Sequence, residues 1–188
     1  DKATGEPLEE AIVWQCGRAS GIAQEIAEQG HAEEIREATG LQLSAYFPAA
    51  KMAWLLRNGG EERQKRAADG KLCLGTIDSW LVYKLTGDHA FKTDFSNASR
   101  TQLFNLKTLA WDEKICEMFG IPVCALARVC DSDAVYGTTT MEGLFSEPVP
   151  ICGVLGDSHA ALFGQGCLKP GMIKATYGTG SSLMMNIG

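Results

Sequence analysis

An α/β protein is what this sequence predicts, on three observations. Apolar residues recur at helical spacing between glycine stops through the first two-thirds of the chain. From Asp131 onward, short apolar strands alternate with a helix and glycine becomes more frequent. A composition of 45% hydrophobic, 21% charged and 8% aromatic over 188 residues is globular, neither disordered nor fibrous. A chain of that length buries roughly 70% of its unfolded surface, enough for a core without staples.

The elements follow in order. A turn at Thr4, Gly5, Glu6 and Pro7 leads into an apolar strand over residues 11–14. Residues 19–30 read as a helix in which Ile22, Ile26 and Ala27 recur at helical spacing and Gly30 is the stop. A second, short helix over 31–39 ends at Gly40. Residues 41–48 form a loop, and Pro48 leads into a third helix over 49–57 that Asn58, Gly59 and Gly60 break. A charged helix with a solvated face covers 61–68, and a short strand covers 71–74. Thr76 is placed to cap a helix carrying Ile77, Trp80 and Leu81 and ending at Gly87. Residues 93–100 are small, polar and turn-prone. Another helix over 111–119 is ended by Gly120 and Pro122. Strands over 134–137 and 150–155 follow, then a helix, then two strands meeting at Gly178, Thr179 and Gly180.

The net charge of −6 argues against nucleic acid as the main partner, because phosphate-backbone binding needs an excess of Lys and Arg. A nucleotide ligand stays open, since backbone amides can hold its phosphates. Seven cysteines, at 16, 73, 116, 124, 130, 152 and 167, include no C-x-x-C pair. Odd in number and set in apolar stretches, they are expected to be buried free thiols of a reducing compartment. No apolar run approaches about 18 residues and the polar start lacks a signal-peptide core. No membrane span or secretory leader is expected, and the cytoplasm is the default. A chain that begins in a turn and ends on an uncovered strand is expected to be a piece of something longer.

Chemistry-bearing residues gather late in the chain. An apolar strand runs into Gly156 and Asp157, and a helix of small residues begins there. Asp157 thus stands at a strand's carboxyl end and a helix N-terminus, where open α/β sheets gather ligands. A carboxylate there can take a proton from a substrate hydroxyl or carry a metal ion; the alternative is a plain helix cap. Gly178 and Gly180 permit a tight turn whose amides, with the Thr179 and Ser181 hydroxyls, can cradle a phosphate. An ordinary hairpin turn is the alternative. Ser158 and His159 lack the G-x-S-x-G setting of a hydrolase, and His159 reads as a partly buried helical residue. Trp14 and Tyr46, near loop ends, either wall a substrate or pack in the core.

Residues 46–58, Tyr46-Phe47-Pro48-Ala49-Ala50-Lys51-Met52-Ala53-Trp54-Leu55-Leu56-Arg57-Asn58, resemble the first signature of the FGGY carbohydrate kinases. That pattern is aromatic, spacer, small residue, two spacers, Lys, apolar, spacer, Trp, apolar. Residues 12–16, 75–81, 93–101, 162–165 and 177–180 resemble, in that order, stretches of the family's glycerol kinase branch. The likeness covers essentially the whole chain. It implies an ATP-dependent kinase of the actin/hexokinase-like (ribonuclease H-like) α/β fold. Such an enzyme has two domains with the active site between them, uses ATP and Mg2+, and acts on a small polyol or sugar. By position, Asp157 would be the catalytic base toward the substrate's primary hydroxyl and the carboxylate beside the metal. Tyr46 would hydrogen-bond the polyol, Trp14 would pack on its carbon face, and Ser158 would lie beside the reacting hydroxyl. Gly178 and Thr179 would touch the nucleotide's terminal phosphates.

The resemblance divides the chain into residues 1–168, the later portion of the family's N-terminal domain, and 169–188, the opening β-hairpin of its C-terminal domain. The family's first phosphate hairpin, its Mg-associated Asp and its polyol-gripping Arg-Glu pair would precede residue 1. The adenine-binding glycines would follow residue 188, so the chain alone is expected to be inactive. Two positions depart from the glycerol kinase pattern: Ser158 replaces a Gln, and Gly17 a basic residue, with Gly17-Arg18 resembling the xylulokinases. A pentulose kinase is therefore the first rival, a non-catalytic binding or assembly module the second, and a Ser158/His159 hydrolase the weakest. A homo-oligomer is left open.

Overall fold

In the computed structural model, which describes residues 1–178 and 180–188, the helical part gathers around α1 (Ser20–Glu28), α2 (Ala32–Thr39), α3 (Pro48–Asn58) and α4 (Gly60–Ala68). α3 is central for a compositional reason. Its Ala49, Ala50 and Ala53 are fully buried, and side chains this small let α1 approach and bring Ile22 and Ile26 into the same core. Pro48 suits the first helical position, where an amide would have no partner anyway. Gly40 ends α2 in a left-handed conformation at φ 71° and gives its amide to the Arg36 carbonyl at 2.8 Å.

α5 (Ile77–Leu85) follows, and β1 (Lys92–Asp94) runs directly into a single helical turn, α6 (Phe95–Ala98). The hairpin of β2 (Phe104–Asn105) and β3 (Ala110–Trp111) precedes α7 (Glu113–Phe119). α7 adds Ile115, Cys116 and Phe119 to the core. Burial, with Asp112 and Glu113 close by, pushes the Cys116 thiol up to about 12. A 3-10 turn at Val123–Ala125 leads to β4 (Arg128–Cys130), which pairs in parallel with β1, Asp94 opposite Cys130. β5 (Gly137–Thr139) and β6 (Val149–Ile151) pair antiparallel. α8 (Asp157–Gly164) then leads to the antiparallel hairpin of β7 (Ile173–Tyr177) and β8 (Ser181–Met185). The described residues therefore hold four two-stranded ladders.

Helices fall close to where periodicity puts them, and the β7–β8 hairpin forms as expected, but the other strands shift or fail to form. Residues 11–14 form no strand: Val13 and Trp14 are 60% and 55% exposed and pair with no strand among the described residues. An apolar run becomes a strand only where another backbone meets its amides. Residues 71–74 make a single bridge, Leu74 to Leu126. β5 starts at Gly137, after the fully buried Tyr136, and β6 stops at Ile151, after which 152–156 leave the ladder to reach α8. α5 ends at Leu85, because Thr86 is already extended. α7 starts at Glu113, because Trp111 pairs with Phe104 and Asp112 caps the helix by accepting the Ile115 amide at 3.0 Å. The polar stretch 93–100 is not a simple turn: it holds the end of β1 and all of α6. All seven cysteines are free, but only Cys116 and Cys167 are buried, since most of the others sit in loops or at element ends rather than on core faces. Among the described residues, no helix is long and apolar enough to cross a membrane.

Candidate functional site

One half of the site is an aromatic wall. The Trp14 and Tyr46 rings meet edge-on, centroids 5.5 Å apart at 64°, and Tyr46 meets Phe47 at 5.0 Å. Trp14 and Tyr46 are 55% and 52% exposed, so they form a surface rather than core. With Gln15, Cys16, Gly17 and Ser44 they border a cleft of about 490 Å3. A Cβ added at Gly17 would meet only Ser20 Oγ, at 3.5 Å, which leaves that side of the cleft roomy.

Lys51, to which the sequence reading assigned no role, fixes this wall. Its ammonium is buried and donates to the carbonyls of Ala45 and Tyr46, the latter at 2.9 Å. Burial draws the Lys51 ammonium below its ordinary range, and Cys16 opposes that. Arg18 turns away from the cleft: its guanidinium lies 5.0 Å from the Trp54 ring centroid and its Nε donates to Cys16 Sγ at 3.0 Å. Hydrogen bonds from the Arg18 backbone, then from its side chain, hold the Cys16 thiol below its usual value.

The other half is the acid end. Asp157 is the first residue of α8, and Gly156, not Asp157, occupies the cap position. The Asp157 carboxylate is exposed, with Oδ1 accepting the Ser158 amide at 2.6 Å, and the positive end of the helix favours its charge. Ser158 and His159 are half-buried. Burial first, then Arg100, push the His159 imidazole below its ordinary value, Asp94 and Asp157 pull it back, and Lys174 adds to the lowering. Consecutive helical positions stand about 100° apart, so Ser158 and His159 project in different directions and form no hydrolytic pair. Gly178 is exposed at the end of the β7–β8 hairpin and gives its amide to the Gly180 carbonyl at 3.1 Å. Thr179 lies outside the described residues.

Asp94 is the second residue that sequence reasoning missed. It is fully buried and caps α6. Oδ1 accepts the backbone and side-chain amides of Asn97 at 3.0 and 2.7 Å. Oδ2 accepts the Ser96 amide at 3.0 Å, the Ser96 hydroxyl, and the Ser132 hydroxyl at 2.7 Å. Burial draws this carboxyl upward, but the donors from Ser96, Ser132 and Asn97 outweigh it and hold Asp94 below the ordinary carboxylate range. The available signal was Asp94 followed two and three residues later by Ser and Asn, a helix-capping pattern.

Asp157 and Ser158 do not line the aromatic cleft, but residues 94–101 lie between the two halves. The Thr101 carbonyl accepts the Ala49 amide at 2.9 Å, at the start of α3. The Arg100 guanidinium lies 5.2 Å from the Phe47 ring centroid. At the opposite side, Ser96 Oγ accepts the Gly156 amide at 2.7 Å. Among the described residues no three His, Cys, Asp or Glu side chains converge on a metal position. A single exposed carboxylate such as Asp157 fits Mg2+ carried chiefly on nucleotide phosphates, which takes one or two carboxylates, and does not fit a dedicated metal cage.

Residues 1–164 match the FGGY family of carbohydrate kinases, N-terminal domain. The chain belongs to this family. Across all 188 residues it is 48% identical to a glycerol kinase of Stenotrophomonas maltophilia (strain R551-3), of which it covers 38%. To glycerol kinase 2 of Thermotoga maritima it is 49% identical, again over 38% of that protein. This FGGY chain superposes on Plasmodium falciparum glycerol kinase with ADP at a TM-score of 0.92 and 35% identity, covering 99% of itself and 37% of that chain. The ligand-bound xylulose kinase of Lactobacillus acidophilus shares the fold at a TM-score of 0.81 and 24% identity, over 95% of this chain and 36% of that one. The fold is thus the actin/hexokinase-like one of the FGGY sugar kinases. The chain spans little more than a third of the length of these relatives.

Proposed function

We propose that these residues serve an ATP-dependent kinase that transfers the γ-phosphoryl group to a primary hydroxyl of glycerol or a related small polyol. The observation that carries this reading is Asp157, an exposed carboxylate on the first residue of a helix that follows a strand, in a chain 48% identical from end to end to a glycerol kinase. The activity belongs to a polypeptide of the relatives' length. In it, residues 1–168 are the later portion of the N-terminal domain and 169–188 open the C-terminal one. The reading places it in the cytoplasm, which suits seven free thiols.

Bound MgATP would supply the phosphoryl group; Gly178 and Thr179 would contact its terminal phosphates and Asp157 would stand beside the metal. Asp157 accepts the proton of the substrate hydroxyl at the carboxylate oxygen not turned to the Ser158 amide. Tyr46 hydrogen-bonds the polyol and Trp14 covers its carbon face. A positioned base of this kind is worth about 10²–10⁴-fold, and the remainder of phosphoryl transfer is alignment and charge stabilisation.

A pentulose kinase is the second reading, favoured by the open space beside Gly17, by Arg18 lying over Trp54, and by the short Ser158. The test is ADP release from ATP with glycerol, erythritol, xylitol, ribulose and xylulose, for the wild type and Ser158→Gln in a polypeptide of the relatives' length. On this second reading a four- or five-carbon substrate is used at least as well as glycerol. Ser158→Gln should shift kcat/KM back toward glycerol by roughly twofold to tenfold, the worth of one hydrogen bond. A strong glycerol preference that the substitution leaves unchanged identifies an ordinary glycerol kinase. No ADP release with any of the five leaves a non-catalytic module.

A further inference from the structure

We infer that Asp94 is a positioning residue for Asp157, holding the peptide that delivers the Asp157 carboxylate through the side chains and backbone of Ser96 and Ser132. The inference rests on the reading of Asp157 as the base. After β6 the chain leaves its ladder, so residues 152–156 must find other partners for their N–H groups. The Val154 amide goes to the Ser132 carbonyl at 3.0 Å. The Gly156 amide goes to Ser96 Oγ at 2.7 Å. Both acceptors belong to residues whose hydroxyls are given to the same oxygen, Oδ2 of Asp94.

The direction of the relay is fixed by chemistry. A serine hydroxyl has one hydrogen. Ser96 gives it to a carboxylate that can only accept, so its lone pairs are left facing the Gly156 amide. A chain of hydrogen bonds ending on a buried charge polarises along its length and resists reorientation. Gly156 lies beside the same groups: a Cβ there would make ordinary contacts with Ser96 Oγ and His159 Nδ1 at 3.4 Å and with Asn97 Oδ1 at 3.5 Å. Gly156 immediately precedes Asp157, so this anchor sets where α8 starts and where its first carboxylate lies. The peptide that carries Asp94 also holds the start of α3 through Thr101, so the acid and the aromatic wall are referenced to one segment. Misplacing a catalytic group by about an ångström costs up to roughly 10²-fold in rate.

The experiment measures kcat, KM and melting temperature for Ser96→Ala, Ser96→Thr and Asp157→Asn in a polypeptide of the relatives' length. Ser96→Ala should lower kcat by roughly tenfold with polyol and nucleotide KM unchanged, an alignment loss of the expected kind. Ser96→Thr, which keeps the hydroxyl, should recover most of it. In the 188-residue chain, Ser96→Ala should also release the Gly156 amide to rapid hydrogen exchange while the amides of α3 stay protected. Wild-type kcat in Ser96→Ala, together with loss of turnover in Asp157→Asn, overturns the positioning role. Unchanged protection of Gly156 overturns it too. Retained turnover in Asp157→Asn overturns the reading of the base instead, whatever Ser96 does.

Discussion

At the aromatic wall a buried cation gathers carbonyls, whereas at the acid end a buried carboxylate gathers hydroxyls and amides. Lys51 works directly and locally: it holds the backbone of Tyr46 itself, five residues away. Asp94 works at one remove and over a long span, since Ser96 and Gly156 are sixty residues apart. Neither ion has a partner of opposite charge among its hydrogen bonds; each is compensated by dipoles. That arrangement favours placement over net stability, because buried charge is costly and only well-directed partners offset it. A direct tether should therefore govern substrate binding, and an indirect one the alignment of chemistry.

The widest gap between the halves should come from Asp157→Asn. In a polypeptide of the relatives' length, steady-state kinetics should show kcat lowered by on the order of 10² or more, with polyol KM within a few-fold. Near-normal turnover removes the acid end from the chemistry. Lys51→Met should give the opposite signature. It strands the Ala45 and Tyr46 carbonyls, so urea melts of the 188-residue chain should lose about 1–3 kcal/mol. In the longer polypeptide polyol KM should rise more than kcat falls. A variant that loses kcat alone would erase the distinction drawn between the two tethers.

The smallest effect concerns acid. The folded-state value of Asp94 is held below the ordinary 3.8, so its contribution to stability is complete above that value and is lost as pH falls through the lower folded value. Melting temperature should thus fall along a limb that begins near the ordinary carboxylate range and continues below it. Asp94→Asn should flatten that limb while leaving the neutral-pH slope unchanged. An unaltered acid limb in the variant means that other carboxylates produce it.

Much of this was legible in the sequence. Helices α1 to α5 and α7 announce themselves because their apolar spacing and the glycines near their ends are local. Residues 11–14 did not, because a strand is a relation between two backbones and no amount of apolar character supplies the second. The position of Asp157 on the first residue of α8 was legible from the junction of an apolar run, a glycine and a helix of small residues. Lys51 and Asp94 were not. Lys51 was visible as a letter of the family signature, but its role depends on a loop folding back over the start of α3. Asp94 sat in a stretch read as turn, and its importance comes from burial and from Ser132 and Gly156, both distant in the chain. Roles created by tertiary contact leave little trace in local pattern.

On the proposed reading, the segment 94–101 also bears on how a kinase built this way would change its substrate. Trp14, Gly17, Tyr46 and Ser158 face the cleft or the acid end without side-chain hydrogen bonds to that segment. Exchange at these four positions would reshape what is accepted while the distance from acid to wall stays as it was. Changes at Asp94, Ser96 or Thr101 would do the reverse, disturbing every substrate alike. On that reading, novelty in preference would come easily at the rim and be resisted at the segment that ties the two halves together.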